Sequence, residues 1–241
     1  MDTFTSAARS MLGLDFSKEQ LSLFEHYALE LTAWNQKINL TAIIDPIDIL
    51  IKHFLDSLSC ILAIQMEDHS ASPLRLIDVG TGAGFPAIPL KIAYPQMEVT
   101  LVDSVGKKCA FLRYIVNELG LEGVEVLHDR VETLGSDPHH RISYDWAIAR
   151  AVARMPVLCE YLLPLVPVGG HCIAQKREDA IVETREAAHV LDVLGGQVRR
   201  LLPVDLPGVA AKRYLVVLRK VAATPEKCPR RPGMPSKHPL V

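Results

Sequence analysis

The chain has 241 residues, with 26 Lys and Arg against 28 Asp and Glu, 49% hydrophobic and 22% charged, a composition that excludes disorder, collagen and coiled coil. At about 150 residues per domain the length allows one large domain, or a core with an appendage, able to bury about 70% of its unfolded surface. A formal charge of −2 argues against binding nucleic acid or membrane through an overall field and leaves a local patch open.

Met1-Asp2-Thr3-Phe4 has no basic leader character, and no uncharged apolar run approaches the ~18 residues of a membrane span. The cytoplasm is the expected location. Ser17 and Gln20 form a capping box, after which Leu21, Phe24, Ala28, Leu31 and Trp34 recur at helical spacing. Residues 35–41 follow, polar apart from Ile38 and Leu40. A second helix is announced by Asp45 as N-cap, Pro46 at the first position and Asp48 near the positive end of the dipole. Its expected buried stripe is Leu50, Phe54, Leu58 and Ile61. His53 and Asp56 share a face of it, placed to line a cleft or to make a structural hydrogen bond.

From residue 74 short apolar runs alternate with helical stretches. Strands are expected at 74–79, 98–102, 124–128, 144–149 and 170–175, with helices at 86–93, 105–119, 156–165 and 178–194. This grammar predicts a parallel sheet covered on both faces. Runs at 197–203 and 213–219, joined through Pro207-Gly208, predict an antiparallel addition to one edge.

The last stretch is electrostatically separate. Residues 221–241 carry Lys227, Arg230, Arg231 and Lys237 against Glu226, leaving 22 basic and 27 acidic side chains before them. Five prolines there favour extended chain, either a disordered end or a binding arm. The five cysteines, Cys60, Cys109, Cys159, Cys172 and Cys228, are widely spaced with no C-x-x-C pair. Neither a disulfide framework nor a metal site is expected.

The chemistry concentrates where Leu76-Ile77-Asp78-Val79 runs into Gly80-Thr81-Gly82-Ala83-Gly84-Phe85-Pro86. A strand, a glycine turn and a helix start let the backbone approach a ligand and offer free amides to an anion. The spacing is not the dinucleotide fingerprint, and no Gly-Lys-Ser/Thr follows, which disfavours a nucleotide hydrolase. Asp103 ends the second strand, where an acid can accept ribose hydroxyls, so the ligand face favours an adenosine-type molecule. As an N-cap of the next helix, Asp103 has an alternative role.

Residues 35–41, His53-Phe54-Leu55-Asp56-Ser57-Leu58, Asp78 to Pro89, Leu101-Val102-Asp103-Ser104 with Gly106-Lys107-Lys108, Arg130-Val131-Glu132, Ala149-Arg150-Ala151, Lys176 and Pro229-Arg230-Arg231-Pro232-Gly233 together resemble the RsmG/GidB family, from about residue 20 to the C-terminus. Ala87 and Cys228 depart from the usual residues. The resemblance implies a Rossmann-like class I S-adenosylmethionine-dependent methyltransferase: a mostly parallel seven-stranded sheet with an antiparallel C-terminal edge strand and an N-terminal helical extension. It divides into residues 1–70 (extension), 71–220 (methyltransferase domain) and 221–241 (tail). The implied reaction methylates N7 of one guanine in 16S, small-subunit ribosomal RNA, free or in a subunit or assembly intermediate, by a monomer. Gly80, Phe85, Val131, Glu132 and Arg150 are implied to bind the cofactor, with ordinary core the alternative for Val131. Asp78, Gly82, Gly84 and Asp103 join them on physical grounds, Asp78 as an acceptor for the methionine ammonium.

Guanine N7 exposes a lone pair, so transfer needs alignment rather than proton removal, and no catalytic base is expected. Candidate substrate-positioning residues are His53, Lys107, Arg130 and Lys176. Lys107, Lys108, Arg130, Arg150, Arg154, Lys176 and Arg177 suggest a basic rim at the carboxyl ends of the strands, suited to phosphates and splayed bases. Competing readings are a small-molecule or protein methyltransferase and a non-catalytic RNA-binding assembly factor; an oxidoreductase is disfavoured.

Overall fold

The computed structural model describes residues 1–67 and 73–240. Nothing in the start signals announces α1 (Asp2–Leu12), whose N-cap Met1 offers no capping side chain; it forms because Phe4, Ala7, Ala8 and Leu12 share a buried stripe. The expected capping box opens α2 (Lys18–Asn35), with Gln20 N donating to Ser17 Oγ and Ser17 N to Gln20 Oε1. Tyr27, absent from the expected stripe, is buried beside Phe24 and Leu31.

Asp45 caps α3 (Pro46–Asp48) through the amides of Ile47 and Asp48. Instead of a regular helix, the chain then winds as a π-helix, Ile49–Leu55, before α4 (Asp56–Leu58) and α5 (Ile61–Ile64). The wider turn changes the phase of the stripe, so Ile49 and Ile51 join Phe54 and Leu58 in the core while Leu50 is half-buried.

The sheet comprises β1 (Arg75–Val79), β2 (Glu98–Asp103), β3 (Val124–His128), β4 (Trp146–Arg150), β5 (His171–Lys176), β6 (Gly196–Val204) and β7 (Arg213–Lys220). Their order is β3-β2-β1-β4-β5-β7-β6. The first five run parallel, and β7 is antiparallel to both neighbours, inserted between β5 and β6. The antiparallel addition follows the sequence reading; the position of the final strand inside the edge is a tertiary outcome. Connections leave β1 towards β2 on one side and return to β4 on the other, so the ligand crevice opens at the carboxyl ends of β1 and β4.

One face of the sheet carries α6 (Ala87–Ala93) and α7 (Gly106–Glu118) with the N-terminal helices, which share a single cluster through Phe24, Phe54, Leu76, Phe111 and Ile148. The expected domain boundary at 70/71 lies outside the described residues. The other face carries α8 (Val131–Leu134), α9 (Met155–Leu162) with a 3-10 turn Leu163–Leu165, α10 (Ala180–Glu186) and α11 (Ala188–Leu194). The single helix expected over 178–194 is therefore two. Burial on both faces explains the continuous apolar runs of β1, β2 and β4.

After β7 the proline-rich tail is neither free nor extended throughout. Thr224, Cys228, Pro229 and Pro235 are buried, and a last turn, α12 (Met234–Lys237), closes it. Among the described residues no helix is long and apolar enough to cross a membrane. All five cysteines are buried free thiols.

Candidate active site

A cleft of about 790 Å³ opens at the carboxyl ends of the strands, between the glycine loop, the π-helical segment and the ends of β5 and β7. Its size suits a small molecule with part of a second ligand. Of the expected site residues, Gly80, Gly82, Phe85, Arg150, His53 and Lys176 line it.

Asp78 lies beneath the loop, fully buried. Its Oδ2 accepts from Thr81 Oγ1 at 2.7 Å and from Ala87 N at 3.1 Å, and its Oδ1 has no partner among the described residues. Burial pushes its carboxyl up to about 7, against the hydrogen bonds from Thr81 and Ala87. Asp103 Oδ2 accepts Gly82 N at 3.0 Å and Oδ1 accepts Val105 N at 2.8 Å, with Lys108 Nζ 3.8 Å away. The carboxylate thus ties the loop after β1 to the start of α7.

The loop glycines differ. Gly82 has φ +62 and open space where a Cβ would stand; a Cβ on Gly84 (φ +98) would strike Ile88 and the Tyr27 hydroxyl. Gly82 serves the cleft, whereas Gly84 lets Tyr27 reach in and donate to the Ala83 carbonyl.

His53 stacks on Phe85, centroids 4.5 Å apart and planes at 10°, and the Arg150 guanidinium carbon lies 4.8 Å from the Phe85 ring centroid. Arg150 donates to Asp56 Oδ2 at 3.1 Å and contacts His53 Nδ1 at 3.2 Å. Because Arg only donates, Nδ1 is the acceptor, so Nε2 carries the proton and donates to Thr41 Oγ1 at 2.7 Å. Burial, reinforced by Arg150 and Arg213, lowers the imidazole to about 3. His53 and Asp56 both line the cleft and are both hydrogen-bonded. Arg213 on β7, with Nε 3.6 Å from Asp56 Oδ1, was not singled out from sequence. No local signal marks it; only the pairing of β7 with β5 carries it to the cleft.

The expected rim is less uniformly basic than the residue types imply. Lys176 donates to Ala153 O at 2.6 Å and to Glu183 at 2.7 Å, Arg154 pairs with Glu186 at 2.5 Å, and Arg150 is held by Asp56. Lys107, Arg130 and Arg177 are exposed and have no ion pair among the described residues. Lys107 and Arg130 lie outside the lining of the cleft, as do Asp78, Gly84, Asp103, Val131 and Glu132. The last two are buried at the start of α8, with Glu132 Oε1 accepting Gly233 N of the tail at 2.8 Å.

A family model described as "GidB: rRNA small subunit methyltransferase G" matches residues 20–205. The chain belongs to the rRNA small subunit methyltransferase G family. Ribosomal RNA small subunit methyltransferase G of Roseiflexus castenholzii is 47% identical over 241 residues, 100% of both chains. The protein of that name from Pelotomaculum thermopropionicum is 45% identical over 239 residues, 99% of this chain and 98% of its own. Among solved structures, TrmN from Thermus thermophilus aligns with a TM-score of 0.52 at 19% identity, over 71% of this chain and 53% of its own. A 16S rRNA (adenine(1408)-N(1))-methyltransferase from Catenulisporales acidiphilia aligns at 0.53 and 15%, over 65% and 89%. The fold is the Rossmann-like class I methyltransferase fold, and the family is one of methyltransferases.

Proposed function

We propose that the cleft binds S-adenosylmethionine and that the chain methylates N7 of a guanine in 16S ribosomal RNA. The observation that carries this reading is the unpartnered, buried Asp78 Oδ1 beneath a loop whose Gly82 faces open space. A buried carboxylate oxygen without a donor is costly unless a ligand supplies one, and the ammonium of a methionine moiety is such a donor. The residues present therefore fit the cofactor, whose sulfonium supplies an electrophilic methyl group.

Asp78 would accept the ammonium, with Gly80, Gly82 and Gly84 shaping the loop, and Asp103 would accept ribose hydroxyls through its remaining lone pairs. Val131 and Glu132 would stand beside the adenosine, since α8 follows β3 and His128 is in register with Asp103. Phe85 and Arg150 would close the opposite end. The guanine would enter between His53 and the end of β7, over Asp56 and Arg213.

Neutral His53, its Nδ1 engaged by Arg150, is unsuited to take a proton at neutral pH. That supports a reaction of alignment, because the N7 lone pair requires no base. Lys107, Arg130 and Arg177 are cations available to RNA phosphates, while Lys176 ties the loop after β4 to α10 through Ala153 O and Glu183. The N-terminal segment would supply the outer wall through Leu40 and Ile43, in the loop between α2 and α3, and His53 of the π-helical turn. Action as a monomer in the cytoplasm belongs to the same reading.

Methyl-labelled cofactor and unmethylated small subunits test the reading. Label mapped to N7 of one 16S guanine is expected; label on an exocyclic amine or on protein overturns it.

A further inference from the structure

The turn α8 is only four residues long, with Val131, Glu132 and Leu134 buried. It follows β3, the sheet's edge strand and one with no fully buried residue, and it has no side-chain cap. The C-terminal tail holds it from outside. Gly233 N donates to Glu132 Oε1 at 2.8 Å. Arg141 Nη1 donates to Gly135 O, at the end of α8, and to Cys228 O, both at 2.7 Å, while Nη2 reaches Thr224 O at 3.1 Å and Pro225 O at 3.3 Å. The Pro229 ring lies so close to Gly135 that a Cβ there would collide with it.

A second anchor fixes the tail to α9. Arg230 meets Glu160 as a fork, Nε to Oε1 at 2.9 Å and Nη2 to Oε2 at 2.7 Å, with its backbone amide on Oε1 at 2.7 Å. Glu160 is 1% exposed and Glu132 2%. Two buried carboxylates on different elements are therefore satisfied by one short stretch of tail, and unpaired buried carboxylates are strongly disfavoured. Tail docking and the conformation of α8 are joined.

We propose that residues 228–235 are a positioning element of the cofactor site, holding the Val131–Glu132 turn in place so that cofactor affinity depends on the Arg230–Glu160 and Gly233–Glu132 contacts. This rests on the reading above that adenosine lies beside Val131 and Glu132. Reciprocity requires the converse: bound cofactor must tighten the tail. The tail's remaining cations, Lys227, Arg231 and Lys237, stay exposed, so its effect on the cofactor is separable from any contact with RNA.

The test uses S-adenosylhomocysteine and no RNA. Calorimetry on the intact chain, on Arg230→Ala and on a chain ending at Glu226 is expected to show affinity falling about tenfold or more in both variants. In turnover, Arg230→Ala raises KM for the methyl donor with kcat little changed, and Arg230→Lys recovers part of the loss. Hydrogen exchange on the intact chain, which needs no variant to fold, is expected to show Gly233 and its neighbours more protected when ligand is saturating. Binding by the intact chain with unchanged affinity in a folded variant, or with unchanged tail protection, overturns this proposal alone. Failure of the intact chain to bind S-adenosylhomocysteine overturns the cofactor reading, and this proposal with it.

Discussion

The Asp103 carboxylate accepts the Gly82 amide at 3.0 Å while its other oxygen accepts Val105 N at 2.8 Å. One side chain at the end of β2 thus sets the shape of the loop that leaves β1. Replacing Asp103 by Ala releases both amides at once. Hydrogen bonds to a charged group contribute about 1.5–3 kcal/mol each; water takes up part of the loss, and with about one bond's worth reaching the ligand, S-adenosylhomocysteine affinity is expected to fall by roughly 10–100-fold. Asp103→Asn, which keeps one acceptor oxygen, is expected to fall between. Calorimetry decides, and wild-type affinity in Asp103→Ala would sink the assignment.

Cofactor binding should depend on pH through Asp78. Its folded carboxyl is raised to about 7 from 3.8, so in the free protein it holds a proton across most of that range. Its contribution to stability is complete below pH 3.8 and is lost as pH rises through about 7. Pairing with an ammonium needs the anion, so binding expels the proton, and affinity should rise with pH up to about 7 and then level off. Titrations between pH 5.5 and 8 measure this directly; a flat profile, or one unchanged in Asp78→Asn, counts against the pairing.

His53 behaves in the opposite sense. Its folded imidazole is lowered to about 3 from 6.5, so its contribution to stability is present above pH 6.5 and is lost as pH falls towards 3. Denaturant unfolding of wild type and His53→Gln from pH 4 to 7.5 should show a shallower acid loss in the variant. No imidazole inflection is expected in kcat between pH 5 and 8. Parallel stability curves, or an inflection that His53→Gln removes, would refute the neutral imidazole.

Two loop glycines two residues apart should fail differently. Gly82→Ala places a methyl in open space at φ +62, a strain of about 1–2 kcal/mol, so the chain should fold and bind ligand poorly. Gly84→Ala drives a methyl into Ile88 and the Tyr27 hydroxyl, and overpacking adds about 1–3 kcal/mol to the same strain. Thermal unfolding paired with calorimetry separates them. Equal loss of stability in both would show that Gly82 faces no ligand.

Much of this arrangement was legible because it is local. A capping box needs residues three apart, a glycine turn needs neighbours, and a parallel strand declares itself by a short apolar run; Ser17 with Gln20, Asp45 with Pro46, and Asp78 through Gly84 all stand where such rules place them. The missed features have other causes. α1 lacks a capping side chain, and the π-helical turn around His53 is written in no short-range signal, being stabilised by the packing of Ile49, Ile51 and Phe54.

The sequence by itself thus determined the order of strands and helices, the glycine loop and the acids that end β1 and β2. Tertiary structure alone decided which side chains meet. Arg150 finds Asp56 94 residues away, Arg230 finds Glu160 70 away, and Glu132 finds Gly233 101 away. Turn and period preferences act over a few residues, whereas the partner of a buried charge is selected by the requirement that it be satisfied once the sheet has brought distant segments together. For that reason a tail whose composition left a disordered end and a binding arm both open is docked on the domain, its Arg230 paired with a buried glutamate.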